Sequence, residues 1–334
     1  ALYKLGWTFY KQELYDEALH KYIGLLDYKL AQGYDFDSIN YEMDVQTGDL
    51  EEERRVADTF RVISLAFSNL GGADILNEYF AQRGSRSYED RIYSNLAEFY
   101  VEKLRFNDAA DVYRSFVDLN PLHRRAPHFS MRVVQIYGDG GFPQLVVQAK
   151  KDFARHYGLE SEYWHSYDQA QMPDVLDHLK TNLFDLAQHF HALYQEPELD
   201  EQQNENSAEA LFWYRQYLTS FPDDDQAPSV NYQLADLLLE QGQFDIAARE
   251  YERTAYDYPR HEKAAEAGYA AIFAHRENLQ SLSGDQAPAA KRATVDSSLR
   301  FANTFADHDQ APMVLAAATD DLYAMGEYEA TVHN

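Results

Sequence analysis

Cysteine is absent from the 334 residues. That removes disulfides, thiol nucleophiles and cysteine metal sites together, and it suits cytosol and periplasm equally. Glycine (15) and proline (10) are few, and alternating β-branched runs closed by Asn-Gly or Asp-Gly turns are scarce, which argues against a sheet protein. No apolar run approaches the ~20 residues of a membrane-spanning helix, and mean hydropathy is -0.58. Positive charge is also short: 29 Lys+Arg stand against 56 Asp+Glu, a net charge of -27. Phosphate backbones and anionic membrane surfaces would meet a repulsive field, so nucleic acid is excluded as the main partner. Cationic partners, a saline habitat or a cell-envelope setting stay open.

Candidate chemistry is equally sparse. Five histidines (His156, His165, His178, His189, His191) invite a metal reading. His189 and His191 are two apart, however, and fall on different faces of a helix, whereas zinc-binding helices use a spacing of three or four. Asp35, Asp37, Asn40, Asp44 and Asp49 lack the register and central glycine of a calcium loop. Gly138-Asp139-Gly140-Gly141 is followed by no Lys-Ser/Thr, so it is no phosphate cradle, and no Gly-x-Ser-x-Gly elbow occurs. The residues point to no catalytic group, no cofactor and no metal.

What is present is helical spacing and a repeat. Leu96, Ala97, Tyr100, Leu104, Phe106, Ala109, Tyr113, Phe116 and Pro121 recur in step as Leu234, Ala235, Leu238, Gly242, Phe244, Ala247, Tyr251, Thr254 and Pro259. The chain opens on a further copy: Leu5, Gly6, Phe9, Tyr15, Ala18, Tyr22 and Leu25. This pattern resembles the tetratricopeptide repeat, a unit of roughly 34 residues made of two antiparallel helices. The small residues at Gly6, Ala97 and Ala235 let the first helix approach its partner. Aromatics such as Tyr22, Tyr113 and Tyr251 fill the space to the next unit, and Pro121 and Pro259 stop the second helix.

Degenerate copies occupy the rest. Leu183, Leu186, Ala187 and Phe190 give a first helix, and Ala210, Tyr214 and Tyr217 a second, across an acidic insertion at 196–206. Helices near 51–70 and 73–82 form another pair, 125–137 and 145–156 one more, then 264–278 and 289–305; 312–324 starts the last. Phe221-Pro222-Asp223-Asp224-Asp225-Gln226-Ala227-Pro228 is echoed by Phe305-Ala306-Asp307-His308-Asp309-Gln310-Ala311-Pro312. In both, proline opens the next helix and aspartates are expected to cap it. The predicted fold is all-α, a superhelical solenoid of antiparallel helix pairs: an N-terminal array at 1–157, an irregular aromatic connection at 158–175 that either packs along the solenoid or marks a joint between the arrays, and a C-terminal array at 176–334. The first residues read as the inside of a helix and the motif at Ala324, Gly326 and Tyr328 stops half finished, so the sequence reads as an excerpt of a longer chain.

The resemblance implies a groove lined by the first helix of each pair, with off-consensus residues facing a bound segment. On that mapping the groove residues are Tyr3, Trp7, Tyr10 and Lys11; then Arg91, Glu98 and Glu102; then Phe184, Gln188 and His191; then Tyr232, Asp236 and Glu240. Aromatic and charged side chains there are typical anchors for a peptide or protein partner. The run from Phe221 to Tyr269 also resembles the repeat segments of bacterial envelope proteins, such as outer-membrane assembly lipoproteins and periplasmic coordinators, over roughly 208–275. That implies a non-catalytic scaffold in a periplasmic or outer-membrane assembly. The alternatives are a polysaccharide- or peptidoglycan-associated export scaffold, or the helical portion of a larger cytoplasmic regulator or enzyme.

Overall fold

In the computed structural model, residues 1–36 and 50–327 are described; Asp37, Asn40, Asp44, Asp49, the remainder of the connection to Gly48, and Tyr328 lie outside them. Fifteen α-helices make up the described chain, with short 3-10 turns and no strand among the described residues. The chain divides into two compact units, Ala1–Leu179 and Lys180–Asn334. Unit 1 holds α1 (Leu2–Lys11), α2 (Tyr15–Ala31), α3 (Leu50–Leu70), α4 (Ala73–Arg83), α5 (Glu89–Glu102), α6 (Phe106–Leu119), α7 (Ala126–Asp139) and α8 (Pro143–Tyr157). The next helix, α9 (Pro173–Gln195), runs on into unit 2, followed by α10 (Gln203–Ser220), α11 (Ala227–Glu240), α12 (Phe244–Tyr256), α13 (Ala264–Ser281), α14 (Ala287–Thr304) and α15 (Ala311–Ala324). The all-α architecture of helix pairs read from the repeat is the one the chain adopts.

One turn geometry makes the pairs. Glu13, Leu104, Gly141 and Gly242 all have left-handed backbone, with φ of 62, 57, 73 and 70°. The amide that follows each one reaches back to a carbonyl five residues earlier: Leu14 to Phe9, Arg105 to Tyr100, Phe142 to Tyr137 and Gln243 to Leu238, all at 2.9–3.0 Å. These bonds satisfy carbonyls the helix end would leave open, and three residues separate the two helices at each turn. Only Gly141 and Gly242 make the turn without a Cβ penalty; Leu104 and Glu13 carry it.

Within each pair the small consensus residues are fully enclosed: Ala18, Ala97, Ala109, Ala235 and Ala247 have no exposed surface. At Gly6 an added Cβ would stand 3.0 Å from the Tyr22 ring, so the absence of a side chain there sets how closely α1 meets α2. The consensus tyrosines Tyr22, Tyr100, Tyr113 and Tyr251 are all buried.

At two places the helices depart from the frame read in the sequence. The helices at 50–70 and 73–83 do not form a regular pair: α3 packs mainly against α2 and α5 and only slightly against α4. Gly71 and Gly72, both at positive φ, make the link in two residues, with the Gly72 amide on the Phe67 carbonyl at 2.8 Å. Aspartates also do not cap the Ala-Pro helices. The N-caps of α11 and α15 are Gln226 and Gln310, without side-chain capping bonds. The residue two places earlier takes the N-cap amide instead: Asp224 from Gln226 at 3.0 Å, His308 from Gln310 at 3.2 Å, and in unit 1 His123 from Arg125 at 3.2 Å.

The connection after Tyr157 is packed. Tyr163 is buried against Tyr157, Trp164 and Tyr167. Its hydroxyl meets the Arg124 carbonyl at 3.2 Å, Trp164 donates to the Tyr157 carbonyl at 3.0 Å, and Tyr167 donates to the Leu122 carbonyl at 3.0 Å. Aromatic rings with one polar end each thus tie this segment to the loop after α6.

Candidate functional site

In unit 2 the first helices of successive pairs, α9, α11 and α13, carry a run of polar side chains that touch from helix to helix. Gln188 donates to Gln233 at 3.4 Å, and Gln195 donates to Glu240 at 2.8 Å. His191 sits between them, with Nδ1 3.0 Å from the Tyr214 hydroxyl and Nε2 3.3 Å from Glu240; the latter is an ion pair only when the imidazole is protonated. Tyr214 donates to Gln233 at 3.1 Å. One helix further, Tyr232 reaches Glu266 at 3.3 Å, its ring lies under Lys263, and Lys263 pairs with Glu266 at 2.8 Å.

At the middle of this run is Asp236, half-buried, accepting the Tyr251 hydroxyl. Burial pushes its carboxyl above the ordinary aspartate range, and the nearby Glu240 and Glu266 push the same way, against the Tyr251 bond and His191. Burial, with the Asp236 bond and charge added, raises the Tyr251 phenol in turn. No Lys or Arg side chain pairs with Asp236 or Glu240 among the described residues. Two exposed aromatics, Tyr269 and Phe273, stand on α13 at 38% and 51% exposure.

Unit 1 carries the same constellation with one change. Glu98 on α5 occupies the repeat position of Asp236, and Tyr113 donates to it at 2.8 Å, as Tyr251 does to Asp236. From α7, Arg132 adds a fork: Nε to Oε1 at 2.8 Å and Nη2 to Oε2 at 2.9 Å. Burial would raise the Glu98 carboxyl, but the Arg132 and Tyr113 bonds outweigh it and hold it below the ordinary range. In the α1–α2 pair the corresponding position is Trp7, and the buried Tyr22 hydroxyl has no hydrogen-bond partner.

The structure therefore brings Gln188, His191, Tyr232, Asp236 and Glu240 together on one face of unit 2. Phe184 is half-buried against Tyr217, at 6.1 Å between ring centroids. In unit 1, Trp7 and Tyr10 stack on each other with Lys11 over the Trp7 ring. Tyr3 is turned onto Asp58 of α3, and burial together with that bond pushes its phenol up to about 12. Glu102 is exposed. Arg91 is not a groove residue: it is 6% exposed, because packing against α3 encloses the first turn of α5 and buries Glu89, Asp90 and Arg91 alike. The repeat frame also missed Gln195, Gln233, Lys263, Glu266 and the tyrosine hydroxyls of α10 and α12. The consensus tyrosines could have been found, since a buried ring with a polar end usually finds an acceptor, as Tyr113, Tyr214 and Tyr251 do and Tyr22 does not.

Among the described residues no group of three or more His, Asp or Glu side chains is placed to hold a metal ion, and no helix is long and apolar enough to cross a membrane. The family model of the tetratricopeptide repeat matches residues 230–261, that is, α11 and α12. No curated protein matches the chain. Among solved structures, the MamA protein is 13% identical, with 65% of this chain and 96% of that one covered and a TM-score of 0.31. YrrB, described as a TPR protein with an unusual peptide-binding site, is 15% identical over 72% and 98% of the two chains, with a TM-score of 0.31. A human IFIT1 dimer with PPP-AAAA is 12% identical over 98% and 80%, with a TM-score of 0.24. At such scores the likeness bears on neither ligand nor partner.

Proposed function

We propose that this chain is a non-catalytic protein-interaction scaffold whose unit 2 groove, on α9, α11 and α13, holds an extended segment of a partner protein. The observation that carries this is the set of polar side chains that meet across α9, α11 and α13, from Gln188 on Gln233 and Gln195 on Glu240 to Tyr232 on Glu266, with half-buried Asp236 among them. Alternating hydrogen-bonding groups and aromatic faces suit the backbone and side chains of a peptide. The resemblance of 208–275 to bacterial envelope scaffolds makes a periplasmic or outer-membrane assembly the setting in which to seek that partner.

Selection of random displayed peptides on the full chain tests the groove. Enriched peptides are expected to lose binding with Tyr232→Ala and Glu240→Ala, and to keep it with Asp245→Ala, an exposed acid on α12 that is paired with Arg249. If the chain enriches no peptide, or only peptides indifferent to Tyr232 and Glu240, the groove is not the binding surface.

A further inference from the structure

We infer that the segment held in the unit 2 groove inserts an arginine between Asp236 and Glu240, supplying from outside the guanidinium that unit 1 supplies to Glu98 from its own Arg132. This rests on the groove reading above and names the chemistry of its occupant.

The register of the two regions is the starting point. Six buried positions of α7, 126, 129, 133, 134, 136 and 137, correspond with buried 264, 267, 271, 272, 274 and 275 of α13, while 127, 130 and 131 differ in burial from 265, 268 and 269. In that alignment Arg132 falls on Ala270, and both are half-buried. Unit 2 therefore keeps the acceptor (Asp236), the tyrosine that orients it (Tyr251) and the helix across from it, and lacks only the guanidinium.

The local cations do not replace it. Lys263 is held by Glu266 and the Tyr232 ring. Glu240 has the neutral amide of Gln195 and the imidazole of His191. Among the described residues Asp236 accepts a hydrogen bond from Tyr251 alone, with His191 and Lys263 near enough to act through charge but not paired with it. Two carboxylates on one groove, with burial and mutual repulsion raising Asp236, are relieved by an incoming cation. Arginine fits better than lysine because unit 1 shows the carboxylate at this repeat position taking a two-pronged fork, which a planar guanidinium makes and a point-like ammonium does not. Beside position 270 on α13, Phe273 is 51% exposed, whereas the Tyr269 ring is engaged with Phe301 and His308; an exposed ring is a surface on which a guanidinium can stack. The net charge of -27 steers basic segments toward the chain at low salt.

The test uses the full chain and two matched libraries of short random peptides. One contains arginine; the other carries citrulline, its neutral isostere, at every arginine. Peptides from the first are expected to bind about tenfold or more tightly than their citrulline counterparts and to weaken when arginine becomes lysine. Ala270→Arg, which copies the residue unit 1 tolerates at this position, should abolish that preference by filling the site from within, and Asp236→Asn should reduce it. If groove-dependent peptides bind equally well with citrulline, or if Ala270→Arg leaves arginine peptides unaffected, the arginine assignment is overturned while the groove stands. If neither library yields a peptide that depends on Tyr232 and Glu240, the groove reading itself falls.

Discussion

Two regions of this chain, α5–α7 in unit 1 and α11–α13 in unit 2, are built on one plan and differ at one decisive side chain. Each has an enclosed alanine where the first helix meets the second, a buried consensus tyrosine, and a carboxylate that accepts that tyrosine's hydroxyl. Where unit 1 places Arg132, unit 2 has Ala270. Glu98 is consequently neutralised within the fold, whereas Asp236 lies near Glu240 and Glu266 and has no such cation among the described residues. The repeat therefore holds its packing positions constant while the charge balance at this one position varies; on the proposed function, the charge left over in unit 2 is the one a partner meets.

The largest effect should fall on what the regions share. Tyr113→Ala and Tyr251→Ala should each cost about 3–5 kcal/mol in urea unfolding, as for other large buried rings. Near-equal losses would show the two hairpins are equivalent in packing; a loss confined to one would break the comparison.

Next come the turns. Leu104 has φ 57° and is 74% exposed, while Gly242 has φ 70° at the same repeat position. Leu104→Gly removes a Cβ penalty with little burial to lose and should stabilise by up to about 1 kcal/mol. Gly242→Ala should destabilise by about 1 kcal/mol. Equal signs in thermal unfolding would mean that the two turns are not the same structure.

The smallest effect separates the two carboxylates and depends on pH. Glu98 binds its proton more weakly folded than unfolded, so its contribution is present above about pH 4 and lost as pH falls through the folded value. Asp236 binds its proton more tightly when folded, so its contribution is present below about pH 4 and lost as pH rises through the folded value. Both groups are partly exposed, and the magnitudes should stay near or under about 1 kcal/mol. At pH 7, Glu98→Gln should destabilise, and Asp236→Asn, whose amide oxygen still accepts from Tyr251, should be neutral or slightly stabilising. Near pH 3 the two variants should converge on the parent protein. Losses of the same sign at pH 7 would erase the contrast.

Much of this was legible in the sequence because packing repeats in register. The spacing of Ala97, Tyr100, Ala109 and Tyr113, repeated at Ala235, Leu238, Ala247 and Tyr251, specified the hairpins and singled out Glu98, Asp236 and Glu240, which the structure places among hydrogen-bonded polar side chains. Contacts between repeats were harder to read. Arg132 on Glu98 depends on how α7 lies against α5, and Lys263 on Tyr232 depends on α13 against α11; a one-repeat motif contains neither. Arg91 was misplaced because α3, which lies outside the regular frame, covers the start of α5. Leu104 in the left-handed turn is invisible to propensity, since geometry imposed by the hairpin overrides a residue's own preference.

The most direct measurement is the NMR titration of the Glu98 and Asp236 side-chain carboxyls in one sample of the parent protein and one of Ala270→Arg. The account predicts Glu98 below and Asp236 above the ordinary range for its residue type, with Ala270→Arg drawing Asp236 downward and leaving Glu98 in place. An Asp236 that already titrates low in the parent protein, or that ignores an arginine at 270, would contradict it.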